Sequence, residues 1–198
     1  MRGLFIGVVM GMVGIAHANL LTNSDFSVVG PNGSPTVHTG TLGLGSSAAQ
    51  GWDVWHNTNG VSTTQLVGTS TLLPATAPTG ATTGILITST AANNGIYQAF
   101  GGGPSATFDA WVWVLQGQVS IGVGDGTSTL GTSSSTGINY WQHLTTSNLS
   151  SPANRAVIFS TGPAVFYVTS ANAELVPEPA SFAVLSLGAL ALVRRRRK

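Results

Sequence analysis

Between residues 19 and 175 the apolar positions arrive in short bursts. They either alternate with polar ones or run for four to eight residues, and Gly, Pro, Asn or Ser/Thr clusters separate them. A period of two marks a strand with one buried face, and a short unbroken apolar run fits a strand buried on both. The pattern predicts ten strands: Thr36–Leu42, Trp52–Trp55, Ser62–Val67, Gly84–Ser89, Gly95–Phe100, Ala106–Leu115, Gln118–Val123, Trp141–Thr146, Ala156–Ser160 and Ala164–Ala173. The clearest is Ala106–Leu115. There Phe108, Ala110, Val112 and Val114 share one face, while Asp109, Trp111, Trp113 and Leu115 share the other. Gln116-Gly117 then reads as a tight turn that joins this strand to Gln118–Val123 in a hairpin. Gly124-Asp125-Gly126 turns the chain again, and Thr127 to Gly137 is expected to be a long, mobile Ser/Thr/Gly loop. No helix rhythm competes within this stretch, so the fold class is all-β, an antiparallel β-sandwich.

Composition narrows the chemistry. Of 198 residues only 7 are basic and 6 acidic, a charged content of 7% against about 25% for a typical soluble domain. Five of the basic residues close the chain (Arg194, Arg195, Arg196, Arg197 and Lys198) and Arg2 opens it. Between residues 19 and 176 only Arg155 is basic, against Asp25, Asp53, Asp109, Asp125 and Glu174, so one minus five leaves a body charge of −4. A nucleic-acid partner requires a basic patch and is excluded as a reading. Cysteine is absent. A domain of about 156 residues buries enough surface to need no disulfide, and thiolate chemistry drops out.

The two ends read as addresses. Arg2, the apolar run Leu4 to Ile15 and Ala16-His17-Ala18 make a signal peptide over residues 1–18, an N-terminal signal helix cleaved after Ala18. Residues 19–175 are the β-sandwich domain. Over 176–198 three parts follow in order: Pro177-Glu178-Pro179, the apolar stretch Phe182 to Val193, and the basic cluster. The prolines forbid regular structure around Glu178. The charge-free Ala/Leu-rich stretch favours a helix of 14 residues from Ala180 to Val193, about 21 Å long, short of a hydrocarbon core of about 30 Å. Long arginine arms and local thinning can close that gap, with the basic cluster on the cytoplasmic side.

This ending resembles the PEP-CTERM sorting signal of exported proteins in Gram-negative bacteria. The resemblance implies recognition of Pro177, Glu178 and Pro179 by an exosortase, a membrane cysteine peptidase that cuts near the motif. It also implies that the C-terminal helix holds the protein at the membrane only before processing. A plain single-pass tail anchor is the alternative.

The order of landmarks in the body carries a second resemblance. Asn19-Leu20-Leu21-Thr22-Asn23-Ser24-Asp25-Phe26 opens it, Gly51-Trp52 follows, and Ile96-Tyr97-Gln98 leads to the Trp111/Trp113 strand. Trp141-Gln142-His143-Leu144 then precedes Phe166-Tyr167-Val168. This is similar to the galactose-binding-like jelly roll shared by several carbohydrate-binding module families, and it implies a jelly-roll sandwich. Those modules often hold a structural calcium with acids where this chain has Ser27 and Thr169-Ser170. Asp25 alone falls short of the six to eight oxygens calcium takes, so no cofactor is expected, with a structural calcium at Asp25 as the alternative.

Sugar binding by sandwich modules needs an aromatic platform with polar side chains beside it. Trp111 and Trp113 lie on one face about 7 Å apart along their strand, near Asp109, Gln116 and Gln118, and Trp55 lies at a strand end beside His56 and Asn57. These three tryptophans are the candidate ligand-binding residues, although a sandwich core also takes tryptophan pairs. Trp52 and Trp141 are expected in the core. His38, His56 and His143 show no metal-ligand spacing. There is no G-x-S-x-G or H-E-x-x-H motif, and few carboxylates are present to form a hydrolytic pair. The expected function is therefore that of an exported, non-enzymatic envelope or extracellular-matrix protein contacting exopolysaccharide. The alternatives are a purely structural or adhesive matrix protein and a secreted glycan hydrolase working through Asp53 or Asp109.

Overall fold

In the computed structural model the described residues are 18–40, 45–56, 59–68, 73–103, 105–125, 129–148 and 153–176. The signal peptide before Ala18, the motif Pro177-Glu178-Pro179, the apolar stretch and Arg194 to Lys198 lie outside them, as do both terminal helices expected from sequence. The described chain is all-β, two six-stranded antiparallel sheets face to face. Sheet A has the order β1 (Thr36–Gly40), β4 (Gly60–Val67), β5 (Gly84–Ser89), β12 (Ala164–Leu175), β7 (Ala106–Gln116) and β10 (Trp141–Asn148). Sheet B has the order β2 (Gly45–Ser46), β3 (Asp53–His56), β6 (Asn94–Gly103), β11 (Ala153–Ser160), β8 (Val119–Gly124) and β9 (Thr129–Ser134). From β4 onward the chain crosses repeatedly between the sheets, as a jelly roll does.

The core follows from the period of two. On β7, Phe108, Ala110, Val112 and Val114 are fully buried between the sheets, facing Ile96, Ile158 and their neighbours in sheet B. The same alternation on β10 buries Gln142, Leu144, Thr146 and Asn148 and turns Trp141, His143, Thr145 and Ser147 outward. Trp52 is fully buried and packs on Phe26 with ring centroids 5.0 Å apart. The opening segment and the Gly51-Trp52 landmark are stitched together by Gln98. Its Oε1 accepts from Thr22 N at 2.6 Å, and its Nε2 donates to the carbonyls of Thr22 and Gly51 at 3.0 and 2.8 Å. The three sequence landmarks are thus one hydrogen-bonded corner.

Two local expectations change. β7 and β8 are not a hairpin, because Gly117 (φ 77°) carries the chain from sheet A across to sheet B. Both strands present apolar faces to the same core, so they must sit on opposite sides of it. A Cβ at Gly117 would strike Pro163 O, and the arch therefore requires glycine. The stretch expected to be a loop contains β9, paired antiparallel to β8. β8 has a free edge that needs hydrogen-bond partners. Its Gly122 leaves room for Thr129 and Gly131 to come close, and Ser120 and Ser134 join hydroxyls at 2.6 Å. Ser/Thr composition alone does not disclose that demand.

Candidate functional site

Because β7 buries Phe108 to Val114, its other face points to solvent, and Trp111 and Trp113 stand there partly exposed. Register brings matching side chains from both neighbouring strands. Trp141 and Tyr167 flank Trp113, and His143 and Thr169 flank Trp111. The His143 ring stacks on Trp111 with centroids 4.8 Å apart and planes 14° from parallel, and Trp141 meets Trp113 edge to face at 5.6 Å. Trp141 therefore belongs to this outward surface and not to the core, where sequence had placed it. Trp52 is in the core as expected.

A polar network borders the rings. Asp109, Asn172 and Thr145 occupy the next row across β12, β7 and β10. Asp109 Oδ1 lies 2.9 Å from His143 Nε2, and its Oδ2 accepts from Asn172 Nδ2 at 3.2 Å. Asn172 also donates to Glu174 Oε1 at 3.1 Å. A β-bulge at Ser170 (φ 51°), between Thr169 and Asn172, buries Ala171 and returns Asn172 to the outward face. His143 remains well exposed, with 44% of its side-chain surface accessible.

Part of the face is roofed. Residues 73–83, leading into β5, cross it, with Ala75 O accepting from Trp141 Nε1 at 3.3 Å and Thr83 O accepting from Thr169 Oγ1 at 2.6 Å. Thr79 and Ser170 share a hydroxyl hydrogen bond of 2.8 Å. Tyr167 and Thr169 are consequently buried although they point away from the core. The open portion is the Trp111–His143–Asp109 end, where ring surface, an imidazole, a carboxylate and an amide come together.

Trp55 is elsewhere. It stands on the outward side of sheet B, across the sandwich from Trp111 and Trp113, so the structure joins two of the three candidate tryptophans and separates the third. The histidines also regroup. His38 on β1 and His56 on β3 face each other with ring centroids 6.5 Å apart, a convergence that sequence spacing does not show. His56 is buried with Nδ1 at 3.2 Å from Gly40 O, and Nε2 of both rings is buried without a partner. Burial, then the facing His56, pushes the His38 pKa down. Among the described residues no group of three or more His, Asp or Glu gathers. At the corner where the jelly-roll resemblance places calcium, Asp25 Oδ1 accepts from Ser27 N and Oγ, and Asp25 O accepts from Thr83 Oγ1. One carboxylate so engaged is a poor match to a calcium shell.

Comparison with known proteins adds the following. Residues 175–198 match the PEP-CTERM protein-sorting motif, so the chain carries the C-terminal sorting signal of an exported protein. No curated protein matches the chain in sequence. Among solved structures, it is similar to the CBM22-1–GH10 modules of Clostridium thermocellum endo-1,4-β-D-xylanase 10B solved with xylohexaose. That likeness has 12% identity and a TM-score of 0.42, and covers 58% of this chain and 25% of that one. The chain thus spans about a quarter of the xylanase structure. It is also similar to the family 11 carbohydrate-binding module of a Clostridium thermocellum cellulosomal cellulase, at 10% identity and TM-score 0.43, covering 70% and 98%. A third likeness is the CBM22-1 xylan-binding domain of Paenibacillus barcinonensis Xyn10C, at 11% identity and TM-score 0.43, covering 74% and 97%. These likenesses concern the strand arrangement alone.

Proposed function

We propose that this chain, which ends in the PEP-CTERM sorting motif, is exported, processed by an exosortase-type membrane peptidase, and contacts polysaccharide without cleaving it through the outward face of sheet A. The observation that carries the binding reading is the Trp111–His143 stack beside the Asp109–Asn172–Glu174 network. The C–H face of a pyranose lies well against an aromatic ring while its hydroxyls need fixed donors and acceptors, and this surface presents both on rigid strands. Rigid placement matters because a side chain already held by its neighbours loses little entropy on binding. Asp109 holds His143 and Asn172 in place, which makes it a positioning residue for the platform. Before processing, the apolar C-terminal stretch holds the protein at the membrane, and the released body works in the envelope or extracellular matrix.

Affinity gel electrophoresis of the purified chain in xylan, mixed-linkage β-glucan, galactan and alginate tests the binding reading, with tryptophan emission followed in parallel. The expected result is retardation by at least one polymer, a blue shift on titration, and weakening of both in Trp111→Ala with near-UV circular dichroism preserved. Retardation unchanged in Trp111→Ala, or release of reducing ends by the wild type, would overturn it.

A further inference from the structure

We infer that the outward face of sheet B is a second glycan-binding surface, built on Trp55, Phe159 and Arg155, so that one chain bridges two polysaccharide segments. The inference rests on the polysaccharide contact proposed for the Trp111 face. Trp55, Gly95 and Phe159 form one row across β3, β6 and β11. Gly95 has no room for a side chain, since a Cβ there would strike Ile158 O, and the Trp55 ring reaches over it to meet Phe159 edge to face at 5.8 Å and 83°. An edge-to-face pair engages only one of its four ring faces, and both residues are partly exposed. The next row holds Asp53 and Tyr97, and the row beyond it Arg155. Burial, then the neighbouring Asp53 carboxylate, pushes the Tyr97 phenol pKa up, and the Arg155 guanidinium lies 4.9 Å from the Tyr97 ring centroid. Arg155 is the sole Lys or Arg between residues 19 and 176. The Arg155 guanidinium, the Asp53 carboxylate and the Trp55 and Phe159 rings therefore sit within three adjacent strands.

The chemistry favours a sugar over a protein on this face. A stable protein interface needs roughly 800 Å² per partner around an apolar centre. Here two rings are interleaved with Gly95 and Gly122 and bordered by exposed Thr132 and Ser134. The Trp111 face carries Asp109 and Glu174, whereas this one carries the arginine, so the two need not prefer the same residue of a polymer. Packed sheets lie about 10 Å apart with their outer faces directed oppositely. A single extended glycan cannot rest on both, and two bound segments become linked through the protein.

Light scattering of full-length protein mixed with a polysaccharide that retards it tests the bridge, with affinity electrophoresis on the same samples. Wild type is expected to raise scattering to a maximum and lose it again at protein excess. Trp55→Ala and Arg155→Gln, two chemically different changes checked for fold by circular dichroism, should keep retardation through the Trp111 face while losing the scattering maximum. Trp111→Ala should behave likewise through the other face, and Trp55→Ala/Trp111→Ala should show neither signal. Scattering equal to wild type in both Trp55→Ala and Arg155→Gln would overturn the second face. So would complete loss of retardation in Trp111→Ala alone, which leaves the first site standing. Equal scattering without polysaccharide would assign the face to a second copy of this chain. No retardation of the wild type by any polymer would remove the first reading and this one with it.

Discussion

Replacing Gly95 with alanine tests the packing that brings Trp55 onto Phe159. A Cβ at this position would strike Ile158 O and stand 2.7 Å from Phe159 Cα and 2.8 Å from the Ile158 carbonyl carbon, inside the 3.0 Å that real Cβ atoms keep. All three contacts are backbone on the paired strand β11, so no side chain can swing aside. The strands must separate locally. Two strained ladder hydrogen bonds cost about 1 kcal/mol each, and overpacking adds about 1–3 kcal/mol. The total of about 3–5 kcal/mol corresponds to a drop in Tm of about 6–20 °C for a domain of this size. Gly101→Ala on the same strand is the control, since nothing lies within 4 Å of a Cβ there and its effect should stay within about 0.5 kcal/mol. Thermal and urea unfolding of both variants decide the matter. Gly95→Ala unfolding within about 2 °C of wild type, well short of that drop, would refute the close β6–β11 approach and the Trp55–Phe159 geometry with it.

Acid should loosen the β1/β3 end. Burial and the facing His56 lower the His38 pKa from its ordinary 6.5, so the folded state binds this proton less readily than the unfolded one. Stability from this group is complete above pH 6.5 and is lost as the pH falls through the lowered folded value. His38→Gln should flatten that part of a Tm profile between pH 8 and 5, and an unchanged slope would count against it. His143→Ala removes the ring stacked on Trp111 and should weaken polysaccharide retardation about 2- to 12-fold, the equivalent of about 0.5–1.5 kcal/mol. Unaltered retardation would exclude the imidazole from the platform. Glu178→Ala should leave the C-terminal segment attached in the exporting cell, read by the intact mass of the recovered protein, and normal trimming would argue against recognition of the motif.

The outward placement of Trp111 and Trp113 was legible in part. Alternation along Ala106–Leu115 put them on the face opposite Phe108 and Val112, and the structure keeps that division. Alternation alone does not say which face meets water; the burial of Phe108 to Val114 against Ile96 and Ile158 does. Trp141 was misplaced for the same reason. Its strand alternates as clearly, but the choice of inward side depends on pairing His143 with Trp111 across β10 and β7, contacts between residues more than thirty positions apart.

The sequence by itself determined the all-β class, the positions of most strands, the poverty of charge and the sorting motif. Each of these is a property of a local stretch, set by side-chain period, turn residues or composition. Tertiary structure alone decided that Gly117 leads from one sheet to the other, that β9 pairs with β8, and that His38 meets His56. It also placed Trp55 on the side of the sandwich away from Trp111. The physical reason is that a strand's period fixes which residues travel together, whereas its neighbour and its outward side are chosen by long-range burial and by the need to satisfy every backbone edge.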